Sequence, residues 1–109
     1  MAFDELLANR VRQILSGVSG VAERKMFGGL AFLVQGNMSV GVHGSELIVR
    51  IDPSMTDSAL EKPSVRIFDL SGRPMKGWLL VSGKAVSQQK ALASWVNQGV
   101  SFARSLPPK

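Results

Sequence analysis

Between Glu23 and Asp52 the apolar residues change period from 3.6 to about 2, and three turn pairs punctuate the stretch: Gly28-Gly29, Gly36-Asn37 and Gly44-Ser45. They divide it into four β-rich runs, at residues 22–27, 30–35, 38–43 and 46–51. A glycine at the first central position of a two-residue loop suits a type II′ turn, so the last three runs read as an antiparallel meander. In the fourth run Leu47, Val49 and Ile51 fall on one face, with Glu46, Ile48 and Arg50 on the other. One face of the sheet is therefore core and the other partly wet.

The flanks supply helices. Phe3, Leu6, Leu7, Val11, Ile14, Leu15 and Val18 make a single stripe at helical spacing, with Asp4 and Glu5 in the first turn, where the helix dipole favours anions, and Gly17 as the stop. Asp52-Pro53 predicts an N-cap and first helical residue. The short helix would run to about Glu61 with Met55, Ala59 and Leu60 inward, ended by Lys62-Pro63. Residues 65–69 and 78–82 read as strands around a turn at Ser71-Gly72-Arg73-Pro74. A final helix over 87–105 carries Leu92, Trp95, Val96, Gly99, Phe102, Ala103 and Leu106 inward, and its Gly99 implies a close approach to a neighbouring element. The order α-β-β-β-β-α-β-β-α, with hairpins outnumbering crossovers, predicts an α+β fold of two layers, helices packed on an antiparallel sheet.

Composition limits the rest. A chain of 109 residues suits one domain, residues 1–109, with a single core. Apolar residues make up 45%, too many for a disordered tail. No charge-free run approaches the roughly 20 apolar residues of a membrane span, and the acidic N-terminus shows no secretory signal, so the expectation is a cytoplasmic protein with no membrane partner. Zero cysteines exclude a disulfide framework, a zinc–cysteine site and a thiol nucleophile. The net charge of +5 is uneven: the last forty residues, 70–109, carry +6 through Arg73, Lys76, Lys84, Lys90, Arg104 and Lys109 with no acid. A one-signed segment of this kind suits a polyanion, although charge alone speaks to solubility and non-specific attraction.

Catalytic chemistry has little to work with. The one histidine, His43, sits at a strand end beside Gly44, and no Ser–His–acid set can be placed. With a single histidine and scattered acids no metal or cofactor site is expected. Asp52, Asp57, Glu61 and Asp69 have plain roles as caps or surface charges. The run from Lys25 to Phe32 can be laid on the RRM signature, but Gly29 occupies the place of the central aromatic on which a base would stack.

Two other segments combine the residue types that adapt to partner surfaces. Arg24-Lys25-Met26-Phe27-Gly28-Gly29 and Arg73-Pro74-Met75-Lys76-Gly77-Trp78 each join cations, a methionine, an aromatic and glycine at a turn. Arg24, Lys25, Met26, Phe27, Arg73, Met75, Lys76 and Trp78 are the candidate partner contacts; for Phe27 and Trp78 the plainer reading is as core plugs where strands begin.

The same segments carry a resemblance. Arg24 through Phe32, then Gly36-Asn37-Met38, then Gly41-Val42-His43-Gly44 with Glu46-Leu47-Ile48-Val49-Arg50, then Gly72 through Trp78 resemble the TfoX N-terminal domain family, the amino-terminal half of the TfoX/Sxy regulators of natural competence. The likeness covers about residues 3–104. It implies a secretion-chaperone-like two-layer α+β fold in a bacterial protein, here in a stand-alone single-domain form. It implies also a non-enzymatic regulatory module with a partner in the transcription machinery, and it offers no catalytic or ligand residues to carry over. Direct, weak nucleic-acid binding through 70–109 is the alternative, and an exposed sheet edge or face predicts a homodimer.

Overall fold

The computed structural model describes residues 3–26, 28–69 and 75–109. Phe27 and Arg73, and the turn expected at 71–74, lie outside the described residues. The elements follow the order expected from the sequence: α1 (Glu5–Leu15), β1 (Val21–Met26), β2 (Gly29–Val34), β3 (Asn37–His43), β4 (Glu46–Arg50), a 3-10 turn (Pro53–Met55) leading into α2 (Thr56–Ala59), β5 (Val65–Ile67), β6 (Trp78–Val81) and α3 (Gln89–Ser105).

The strands form one six-stranded sheet in the order β1-β2-β3-β4-β6-β5, every neighbour antiparallel. Consecutive pairing through β4 is the meander; β5 then lies beyond β6, so β4 and β5 run parallel on either side of it. Alternation sorts the side chains into two clusters. Leu30, Phe32, Val34, Val40, Val42, Leu47, Val49, Leu79 and Val81 face the helices and pack with Leu7, Val11 and Leu15 of α1 and Leu92, Trp95, Val96 and Val100 of α3. Ala31, Leu33, Met38, Ile48, Leu80 and Phe68 form a smaller cluster on the opposite face. That second face is drier than the mixed pattern of β4 alone implies.

Several local expectations shift. The β2–β3 turn is centred on Gln35-Gly36, both at positive φ (52° and 84°), which is a type I′ turn in place of the expected type II′ at Gly36-Asn37. Tertiary contacts hold Gln35 in that left-handed conformation: its N–H donates to Gly20 O at 2.9 Å and its carbonyl accepts from Lys109 N at 2.9 Å. Gly29, expected in a turn, is the first residue of β2, where a Cβ would run into the Val42 carbonyl. Gly44 at φ 59° does open a two-residue loop between His43 and Glu46, as a type II′ turn requires.

The helices hold two corrections. Asp4 is the N-cap of α1, accepting from Leu6 N and Leu7 N, and Leu6 points outward at 76% exposure although its spacing placed it on the stripe. Met55, expected inward, is 55% exposed; Thr56 is buried in its place. The 3-10 start tightens the first turn and shifts the helical phase by a residue, and Thr56 Oγ1 is then fixed between Pro53 O and Gly77 N, at 2.8 Å each. In α3 the tightest approach is at Gly99, where a Cβ would meet Ser39 O at 2.5 Å. Val100 is buried beside it, and Phe102 and Leu106 are only half-buried.

Candidate functional site

β1 contains three consecutive charged residues, Glu23-Arg24-Lys25. Successive strand residues point to opposite faces, so this run leaves neither face of β1 apolar and the strand can live only at an edge. The register with β2 assigns the faces: Glu23 opposes Phe32 and Lys25 opposes Leu30 on the helical side, while Arg24 opposes Ala31 and Met26 opposes Gly29 on the other. Every residue from 22 to 26 is exposed, whereas all six of β2 are buried. Among the described residues, no backbone hydrogen bond reaches β1 residues 22–26 from any element but β2.

The charges on β1 differ in their partners. Glu23 is gripped by Arg12 of α1 through two bonds, Nε to Oε2 at 2.7 Å and Nη2 to Oε1 at 2.9 Å, and Arg12 Nη1 also donates to Asn9 Oδ1 at 2.6 Å. The Arg12 hydrogen bond is the main cause holding the Glu23 carboxyl below its ordinary range. Arg24 and Lys25 form no ion pair among the described residues. The result is a two-sided strip with one neutralised acid and two unpartnered cations, closed by Met26 at 36% exposure.

The segment around Trp78, so similar in composition, has a different fate. Met75 and Trp78 pack against the smaller cluster. Arg50 places its guanidinium carbon 5.0 Å from the Trp78 ring centroid and 5.3 Å from that of Phe102, and partial burial lowers the Arg50 pKa. Gly77, at φ 87°, comes so close to the 51–53 segment that a Cβ would lie 2.8 Å from Ile51 O. Lys76 is exposed, but four strand spacings separate β1 from β6, roughly 19 Å. Lys25 and Lys76 therefore do not share a patch. Sequence reasoning missed Arg50; its signal was a cation alternating with Ile48 on the face opposite Leu47 and Val49.

Three other features complete the inventory. A groove of about 600 Å³ runs between α3 and the 51–55 segment, lined by Ile51, Asp52, Met55, Asn97, Gln98 and Phe102 among others. Its one acid, Asp52, accepts from Ser54 N at 2.9 Å and Ser54 Oγ at 2.8 Å, which lowers its pKa. His43 meets Phe68 edge-on at 6.1 Å, a packing contact. Among the described residues no group of three or more His, Cys, Asp or Glu could hold a metal ion, and no helix is long and apolar enough to cross a membrane.

The family model of the TfoX N-terminal domain matches residues 13–103 of the 109, from the last turn of α1 to the last turn of α3. The chain belongs to the TfoX N-terminal domain family. No curated protein matches it significantly. The match spans both methionine-bearing cationic segments, and membership in the TfoX N-terminal domain family supports a regulatory module related to competence. In this TfoX N-terminal domain the expected contact residues divide: Arg24, Lys25 and Met26 lie together on the exposed edge, and Met75 and Trp78 serve the smaller cluster.

Proposed function

We propose that this chain is a non-enzymatic regulatory module that works by binding another protein at the β1 edge. Residues 22–26 are exposed on both faces of an edge strand, and its two cations have no partner among the described residues. That single observation carries the reading. The sequence inventory supports it, with one histidine and no cysteine. Family membership directs the search for the partner to the transcription machinery of a bacterial cytoplasm.

Affinity capture from the native host tests the reading. The wild-type chain should retain a partner that the charge-reversed variant R24E/K25E loses, while circular dichroism of the two chains is the same. Equal capture by both would overturn it.

The surplus of +6 in residues 70–109 favours a second reading, direct contact with nucleic acid. Lys90 and Arg104 stand near opposite ends of α3, about 21 Å apart at 1.5 Å per residue, so this segment spreads its cations. A mobility-shift series decides between the two. Duplex binding that weakens steeply with salt and survives R24E/K25E would favour the nucleic-acid reading.

A further inference from the structure

We propose that β1 accepts an extended acidic segment of the partner protein as an added strand, with one carboxylate facing Arg24 and the next facing Lys25. The proposal rests on the reading of the β1 edge as the partner-binding site and names the partner's chemistry.

An edge strand offers a row of backbone donors and acceptors to any chain that can lie beside it. The sheet has two edges, and they differ. β5 is three residues long, and its Arg66 is tied to Glu46 of β4 at 2.5–2.6 Å. β1 is six residues long, is straight in register with β2 from Val21 to Met26, and receives no backbone hydrogen bond on its outer side among the described residues. Among the described residues, β1 is the edge strand with the length to hold an added strand.

Charge then selects the occupant. Arg12 already neutralises Glu23, so what an incoming strand meets is Arg24 on one face and Lys25 on the other. The incoming strand alternates in the same way, so two adjacent acidic residues place one carboxylate opposite each cation. Opposite charges directly across a strand pair are favourable and like charges are not. The chain's net charge of +5 also speeds encounter with an acidic partner.

The same rule disfavours a second copy of this chain. Two β1 strands related by a two-fold axis run antiparallel with their helical layers on one side, so residues that oppose each other must share a face. A residue then sits on the axis opposite itself. The two registers that pair five of the six strand residues put Glu23 against Glu23 or Arg24 against Arg24. Each sets a like pair on the axis between two chains of +5, and where the second register also brings Lys25 opposite Glu23, that acid is already neutralised by Arg12. Arg24, which meets itself in the second of these registers, is one of the two cations that invite an acidic strand.

Amide NMR of the 109-residue chain tests this with defined probes. The first is a blocked peptide of alternating valine and threonine interrupted by two adjacent glutamates. The second replaces those glutamates with lysines, and the third places a proline beside them. The glutamate peptide should shift the amides of residues 21–26 saturably, with cross-strand contacts to β1. The lysine peptide should bind about tenfold more weakly or worse, and the proline peptide should lose the cross-strand contacts. R24E/K25E should reverse the preference between the first two.

Absence of β1 shifts at millimolar glutamate peptide, equal binding of the glutamate and lysine probes, or β1 shifts that track protein concentration without peptide would each overturn the proposal. The last outcome would assign the edge to a second copy. Loss of host-partner capture in R24E/K25E alongside any of these would leave the edge as the binding site and remove only its acidic occupant. Capture that survives R24E/K25E would remove the site itself.

Discussion

Two segments of nearly the same composition, Arg24-Lys25-Met26-Phe27-Gly28-Gly29 and Arg73-Pro74-Met75-Lys76-Gly77-Trp78, end in opposite circumstances. In the first, Arg24, Lys25 and Met26 lie on a strand with a neighbour on one side only and stay in solvent. In the second, Trp78 opens a strand with neighbours on both sides, and it packs with Met75 into the smaller cluster beneath the Arg50 guanidinium. Strand order, not residue type, separates an exposed strip from a core plug. Met26 at the edge stays in solvent, whereas Met75 beside the paired strand packs into the smaller cluster and leaves Lys76 exposed.

The glycines give the largest effects by which this contrast can be broken. Gly29→Ala would drive a Cβ into the Val42 carbonyl, and Gly77→Ala would combine a left-handed φ of 87° with a Cβ 2.8 Å from Ile51 O. Both contacts are with backbone, so neither side can yield cheaply. Each variant should lose about 3 kcal/mol or more in urea unfolding. Gly28→Ala is the control: φ is 73° but nothing lies within 4 Å, so the loss should be about 1 kcal/mol and Gly28→Asn should recover part of it. Equal losses at Gly28 and Gly29 would mean that backbone approach does not distinguish them.

Side-chain truncation is the next test in size. Trp78→Ala removes a half-buried ring from the smaller cluster and from Arg50, and should cost about 2–3 kcal/mol. Met26→Ala should cost less than about 0.5 kcal/mol, because its side chain is 36% exposed at an edge. If Met26→Ala destabilises as much as Trp78→Ala, the first segment is structural and the edge is no contact surface.

Much of this contrast is legible in the amino-acid order, and the part that is not has a physical cause. Three charges in succession announce a strand exposed on both faces, because alternation leaves them no buried side. The meander followed from glycine-bearing turns, and its order was right through β4. Faces and turn types were harder to read. Leu6 is on the stripe by spacing yet faces solvent, because the stripe of α1 is wider than the surface it covers. Gln35 takes a left-handed conformation because Gly20 and Lys109 bond to it from 15 and 74 residues away in the chain. The distance between Lys25 and Lys76 depends on how many strands intervene, and pairing partners beyond a hairpin are not written in local pattern.

A small effect, of the same order as that at Met26, concerns the one acid on the edge. Arg12 holds Glu23 below its ordinary pKa, so in the folded chain the carboxylate releases its proton more readily than in the unfolded chain. A lowered folded value means stabilisation that is fully present above the unfolded value of about 4.3 and is lost as pH falls through the folded value. Both partners are more than a third exposed, at 36% and 39%, so solvent screening limits the pair to less than about 1 kcal/mol. Glu23→Gln should therefore lower the urea midpoint slightly at pH 7, with the gap to wild type closing as pH falls through the lowered folded value. The same substitution also frees Arg12 and makes the β1 strip more positive. Affinity for the glutamate peptide should then rise while stability falls, a divergence in sign that a purely structural role for Glu23 would not produce.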